Sequence, residues 1–358
     1  MTNGSKNTKT FLSVETEKRK SEHIDICLHK DVDGKKVSTG FEQYRFRHQA
    51  LPELNFDEID LSTQWLGKAL RVPYLISSMT GGTEAALRIN RTLAMVAERN
   101  GWAMGLGSAR AAVENEALAY TYAVREWAPT IPLLANIGAV QLNYGYGSEQ
   151  CRRAVALTGA DALILHLNTL QEVIQPEGDG NFAGLLKKIG TLCRELDVPV
   201  GVKEVGWGIT GDTAERLWNA GVSFIDVAGA GGTSWSQVEK FRLRDPMRQQ
   251  AAEVFAEWGV PTAACIQEVR EQLPPHAVVI GSGGIQNGLE AAKAIALGAD
   301  FVGYGKALLS AAAKDEGTLL QLMDRLELEL KIAMFGIGAA NIAALKQTDR
   351  LVYSAVRN

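Results

Sequence analysis

His166, Asn168, Gln171 and Glu172 follow directly on the apolar run Ala162 to Leu165 in ADALILHLNTLQE. An imidazole, two amides and a carboxylate so close together can hold a cation, orient a polar substrate or pass a proton. His166 and Asn168 are two apart, so on a strand they share a face. Gln171 and Glu172 fall in the loop beyond, before the turn PEGD at 176–179. Glu172 is the natural carboxylate for Mg²⁺, which takes one or two carboxylates and fills its shell with water and substrate phosphate. The plainer alternative makes Glu172 a solvated loop acid and His166 a hydrogen-bonded core histidine.

A second chemistry lies further on. SGGIQNG (282–288) and VGYGKAL (302–308) both turn from strand to helix on bare backbone. Backbone amide N–H groups in both turns can converge there on an anion, and the second turn adds Lys306. One such turn would be explained by tight-turn glycine alone; two together point to a phosphate. No G-x-x-x-x-G-K-[ST] loop occurs. With Thr80, Ser108, Asn136 and Lys203 across the same mouth, the phosphate suggests a flat flavin, whose ring edges suit Asn, Ser and Thr partners. Lys203 follows the apolar VPVGV and would stabilise the negative charge of a reduced ring. Its alternative is an ion pair with Glu204 or a neighbour. A basic stretch, Lys18-Arg19-Lys20 within EKRKSEH, reads either as a solvated face or as a mobile arm supplying cations to an anionic substrate. Arg110 is a second such cation.

These residues need a scaffold that gathers strand ends. Eight apolar runs alternate with helical stretches: 72–79, 102–108, 131–138, 162–168, 198–205, 224–230, 277–283 and 301–305. Strands this apolar imply a parallel sheet covered by helices, and eight units favour a closed (β/α)₈ TIM barrel. A doubly wound fold should carry G-x-G-x-x-G after its first strand, where this chain has SSMTGG. The polar and glycine-rich residues cluster at the C-terminal strand ends, where such barrels do chemistry. Gly159, Gly221 and Gly298 each precede a strand and predict left-handed helix caps. The division expected is 1–71, an N-terminal arm and extension packing near the barrel mouth, and 72–358, the barrel with C-terminal helices.

Composition narrows the partners. The 358 residues carry a formal charge of −4 and are 46% hydrophobic, which gives no general reason to expect nucleic acid or an anionic membrane. The polar start, with Glu15 and Glu17, lacks an apolar signal core. Four scattered cysteines without C-x-x-C spacing read as reduced thiols of a cytoplasmic protein.

The motifs converge on one resemblance. RKSEH (19–23), SMTGG (78–82), GSAR (107–110), HLNTLQE (166–172), PEGD (176–179), VKEVGWG (202–208), DVAGAGGTSW (226–235), SGGIQNG (282–288) and MFGIGAANI (334–342) stand in the order found in type 2, FMN-dependent isopentenyl-diphosphate isomerases, which the chain resembles over nearly its whole length. The resemblance implies a homo-oligomer (tetramer or octamer) using reduced FMN, NADPH or NADH as reductant, and Mg²⁺ on a prenyl diphosphate. By motif, Arg19 and Lys20 hold the diphosphate. Ser108, Ala109 and Arg110 line the substrate, with His166, Asn168 and Gln171 as catalytic candidates close to it. Glu172 binds Mg²⁺. Ser78, Met79, Thr80, Ser108, Asn136, Lys203 and Thr233 contact FMN, and residues 284–286 and 305–306 hold its phosphate. Ala109 stands where the family often has Gln, so a backbone contact is the expectation there.

Rival readings are an FMN-dependent 2-hydroxy-acid oxidase, a nucleotide dehydrogenase and a non-enzymatic flavin module. The first needs a base histidine at a strand end, whereas His276 precedes its strand. The second wants a nucleophilic cysteine that GAGGTSW lacks. The third leaves the HLN-x-x-QE cluster unexplained.

Overall fold

A computed structural model describes residues 18–354, so Glu15 and Glu17 lie outside the described residues. All eight expected strands form: β1 (Tyr74–Ile76), β2 (Ala103–Gly105), β3 (Leu133–Gly138), β4 (Ala162–His166), β5 (Val200–Lys203), β6 (Phe224–Asp226), β7 (Val278–Ser282) and β8 (Phe301–Tyr304). Each pairs in parallel with the next, and β8 pairs with β1 to close the barrel. The strands are shorter than the apolar runs that announce them. The polar ends of the runs, such as Ser77 to Gly82, leave the ladder and become the C-terminal loops.

Strand alternation sorts the core into two layers. Leu75 packs in the lumen with Leu134, Phe224 and Ile280, while its neighbours Tyr74 and Ile76 pack outward with the helices. Glycine makes room where a ring crosses the lumen: a Cβ on Gly201 would stand 2.0 Å from Phe224 Cε2.

Among the described residues, 18–71 do not gather at one mouth. A helix over 18–29, α1, lies at the C-terminal mouth, with Arg19 and Lys20 on the cavity wall. The hairpin Thr63–Trp65 with Lys68–Leu70 seals the opposite end instead. Trp65 stacks on Phe301 with centroids 4.8 Å apart and meets Phe224 edge-on at 5.3 Å. Phe224 and Phe301 are the first residues of their strands, so the plug belongs to the N-terminal face. Apolar surface there had to be covered, and WLGKAL does it. A third piece, Tyr44–Phe46, pairs antiparallel with Leu351–Tyr353.

The helix-exit glycines split. Gly159 is the left-handed cap of its helix, at φ 61°. Gly221 and Gly298 sit one residue beyond caps at Ala220 and Leu297, at φ 102° and 119°. The aspartates beyond two of them do matching work. Asp161 Oδ2 accepts from Leu133 N–H and from Arg125, each bond under 3 Å, and Asp300 Oδ2 accepts from Val279 N–H and from Arg270 in the same way. The two clamps stand four strands apart. The four cysteines are all free thiols. Among the described residues no helix is long and apolar enough to cross a membrane.

Two further helices position the chemistry: α2 (Thr169–Ile174), immediately after β4, and α3 (Trp235–Arg242), after β6.

Candidate active site

The C-terminal loops enclose a cavity of about 560 Å³. Its wall includes Ser78, Met79, Thr80, Ser108, Asn136, Lys203, Thr233, Gly284, Ile285, Gln286, Gly305 and Lys306, together with Arg19, Lys20, Arg110, His166, Asn168, Gln171 and Glu172. The expected residues are therefore brought together with one exception.

The exception is Ala109. It is fully buried and absent from the cavity wall. Its N–H donates to Asn136 O at 2.8 Å, and its carbonyl accepts from Ala112 and Val113 N–H. Both backbone groups are spent inside the protein, so the expected backbone contact to substrate is corrected: Ala109 props Asn136 from behind. A second correction concerns Gln171 and Glu172, which sit on α2 rather than in a loop. Six residues, TLQEVI, are too few for a periodic signal.

Asn136 is held from the side as well. Its Oδ1 lies 2.7 Å from His166 Nδ1. An amide oxygen only accepts, so that ring nitrogen carries the proton and Nε2 is the acceptor. Burial first, then the cations of Lys203, Arg19 and Lys20, push the His166 pKa down to about 3. The ring is neutral at ordinary pH.

Asn168 ends the strand-to-helix turn. Its Nδ2 donates to Gln171 Oε1 at 3.1 Å and Glu172 Oε1 at 2.8 Å, while its buried Oδ1 has no hydrogen-bond partner. Glu172 Oε2 accepts from Gln175 Nε2 at 2.7 Å and from Asp179 N–H at 2.6 Å. Among the described residues no three His, Cys, Asp or Glu side chains converge as a metal cage. One fixed carboxylate beside an unpartnered amide oxygen suits Mg²⁺, which needs few protein ligands when a substrate supplies phosphate oxygens.

Lys203 does not pair with the Glu204 carboxylate. Its ammonium donates to the Glu204 carbonyl. The carboxylate Oε2 instead gathers the N–H groups of Val205, Gly206 and Trp207 at 2.6–2.8 Å, tightening the loop after β5. Lys203 thus keeps its place on the cavity wall.

The flavin candidates fit such a group. Close backbone approach shapes the bed: a Cβ on Gly107 would stand 2.3 Å from Thr80 O, and one on Gly232 2.7 Å from Gly284 Cα. Ser77 Oγ is buried there without a partner. Gly305 opens the helix Lys306–Lys314, whose N-terminus favours an anion.

At the mouth, Lys20 Nζ donates to Ser108 O at 2.8 Å and also meets the hydroxyl of buried Tyr122. Arg110 pairs with Glu114 at 2.7 Å and Asp179 at 3.1 Å.

Sequence reasoning misses a buried network beneath this mouth. Glu239 on α3 accepts from Gln171 Nε2 at 2.8 Å and from Arg242 at 2.6 Å, and His23 Nε2 stands 2.9 Å from its carboxylate. Burial alone would raise its pKa, but His23, Arg242 and Gln171 together hold it down at about 2. Arg242 also binds Glu22 of α1 at 3.0 Å and Glu177 of PEGD at 2.5 Å. The available signal was His23 inside RKSEH; nothing in WSQVEKFR marks Glu239 as buried. Asp226, under the floor, is a further miss: Ser282 Oγ donates to it at 2.5 Å, and burial raises its pKa.

Comparison with known proteins adds three findings. Residues 160–352 match the model of a family described as FMN-dependent dehydrogenase. The chain is 53% identical over 333 residues to an isopentenyl-diphosphate delta-isomerase of Oceanobacillus iheyensis, covering 93% of this chain and 95% of that one. It is 51% identical to a protein of the same name from Nostoc sp., covering 95% and 97%. Among solved structures, a putative lactate oxidase of Pediococcus acidilactici superposes with a TM-score of 0.67 at 16% identity, covering 96% of this chain and 94% of that one. A mandelate oxidase bound to (S)-2-phenylpropionate superposes with a TM-score of 0.62 at 18% identity, covering 95% and 97%. Those two establish likeness of fold alone.

Proposed function

The chain belongs to the FMN-dependent isopentenyl-diphosphate delta-isomerases, and on that premise we propose how its cavity moves a double bond. The reaction shifts the alkene of isopentenyl diphosphate by one carbon to give dimethylallyl diphosphate, a step of isoprenoid biosynthesis. A proton is added at one carbon and another is lost from the allylic position, with no net redox change. Protonation of the alkene develops positive charge at a tertiary carbon, so the site must stabilise a cation without a nucleophile to trap it.

The observation that carries this reading is the ring of fixed, neutral hydrogen-bonding groups around the cavity floor. His166 is held neutral, and Asn136 and Asn168 are amides. None of the three is an anion that would capture a carbocation. Reduced FMN, when bound, supplies an electron-rich ring and a ring nitrogen able to carry the transferred proton. Lys203 supports negative charge on that ring, and Ser78, Met79, Thr80, Ser108, Asn136 and Thr233 fix its edges. Residues 284–286 and 305–306 hold its phosphate. Arg19, Lys20 and Arg110 take the substrate diphosphate, and Glu172 shares it through Mg²⁺. Gln171, pinned between Asn168 and Glu239, orients the alkene end. Remote binding at the diphosphate thereby fixes the reacting carbons.

NADPH or NADH serves only to reduce the flavin. Exposed Met247, Val254 and Trp258 support self-association into a homo-oligomer, and a cytoplasmic setting fits the free thiols. The oxidase reading gains nothing from His276, which lies ahead of β7, against Trp218 and away from the cavity wall.

The test is anaerobic incubation of the protein with isopentenyl diphosphate, FMN, NADPH and Mg²⁺. Dimethylallyl diphosphate should accumulate in large excess over NADPH consumed, and chelation of the metal should stop it. One NADPH lost per product, or no isomer at all, would overturn the reading.

A further inference from the structure

Asp33 stands on the cavity wall at the phosphate end, where no cofactor chemistry calls for a carboxylate. Its Oδ2 lies 2.8 Å from Lys306 Nζ, and its Oδ1 is buried without a hydrogen-bond partner. The segment that carries it is stitched to the loop after β6. Ser234 N–H donates to Val32 O at 2.8 Å, Gly34 N–H donates to Gly232 O at 3.3 Å, and Asp33 bridges Thr233. Slightly downstream the same segment lies on bare glycine backbone. A Cβ on Gly231 would stand 2.2 Å from Thr39 N, and one on Gly284 2.7 Å from Thr39 Cγ2. Part of what demands glycine in both loops is therefore this segment.

Upstream, the segment continues into α1 within a few residues, and α1 carries Arg19 and Lys20 to the far side of the cavity. One continuous piece of chain touches the phosphate loops at its root and the substrate mouth at its tip. Resting on the FMN reading above, we propose that Asp33 is a positioning residue that makes docking of the diphosphate-binding helix depend on a loaded flavin phosphate site.

The physical reason lies in Lys306. An ammonium has three donors, so it can serve a phosphate and Asp33 together. A lysine free in solvent gives up much side-chain entropy to hold one carboxylate, which is why partly exposed pairs contribute little. A phosphate that fixes Lys306 and the glycine loops removes that cost in advance, and Asp33 then pairs at lower expense. Linkage makes the effect reciprocal: a docked helix must also favour the bound flavin. The consequence is an order of loading in which substrate cations are presented after the flavin is seated.

The test compares the full-length protein with Asp33→Asn and Asp33→Glu. Three quantities are read: FMN affinity by quenching of flavin fluorescence, tryptic cleavage after Arg19 and Lys20 with and without FMN, and KM against kcat for isopentenyl diphosphate. In the parent protein FMN should slow cleavage. Asp33→Asn should still bind FMN but lose that protection, with KM up about 5–10-fold and kcat little changed. Asp33→Glu, which keeps the charge, should retain the protection, and it remains informative if Asp33→Asn does not fold. Protection by FMN that is equal in the parent and Asp33→Asn, with unchanged KM, overturns the proposal alone. Loss of protection in Asp33→Glu also overturns it. Failure of the parent to bind FMN sinks the flavin reading and this proposal with it.

Discussion

His166 shows how much a side chain's surroundings decide its chemistry. As a letter it offers a proton switch near neutral pH; in the fold, burial and three cations keep it uncharged down to about pH 3. The sign of the stability effect follows. Between about pH 6.5, the ordinary imidazole value, and pH 3 the unfolded chain binds the proton and the folded chain does not. His166 therefore costs stability progressively as pH falls through that window and costs nothing above it. His166→Asn should flatten the acid limb of a denaturation curve between those values. A pH–rate profile of the parent should show no ionisation near pH 6–7 from this group, whereas a break there that vanishes in His166→Asn would contradict the assignment. Glu239 behaves in the opposite sense: its low pKa contributes stability present above about pH 4.5 and lost toward pH 2. At this scale nearly every site residue named from the sequence lines the cavity. The sequence could not show Glu239 or the backbone role of Ala109, because both depend on partners distant in the chain.

Elements tell a different story. The eight strands were legible because each is an apolar run bounded by glycine or polar residues, and burial in a parallel barrel requires such runs. The short helix α2 was not, since six residues carry no period. The role of α3 was equally hidden: its Arg242 ties α1, through Glu22, to the PEGD turn, through Glu177. Replacing Arg242 with Met would leave Glu239 in the interior without its guanidinium. Breaking such a pair costs about 3–5 kcal/mol, which urea denaturation would register. The same variant should expose α1 to protease even with FMN present. Unaltered stability together with unaltered proteolysis would mean that Arg242 does not tie these elements together.

Over the whole molecule the two barrel ends divide the work. Polar residues collect at one face, and the other is closed by Trp65 against Phe224 and Phe301. The alternation of strands and helices revealed the barrel, yet no local rule says that WLGKAL belongs to its floor, because the aromatic residues that receive it lie about 160 and 240 positions later (224 − 65 and 301 − 65). Trp65→Ala should cost about 3–5 kcal/mol through the cavity it leaves. FMN affinity should be unchanged in the variant that remains folded, and a large loss of FMN binding would show that the floor and the mouth are not independent.

The ribbon that pairs Tyr44 with Tyr353 has a consequence in time. Its two strands are 309 positions apart (353 − 44). At about 5–20 residues per second, a ribosome needs roughly 15–60 s to travel between them. Through that interval Tyr44–Phe46 is an orphan edge, open to any passing strand. A nascent chain of this kind would be a natural client for whatever factors shelter unfinished polypeptides.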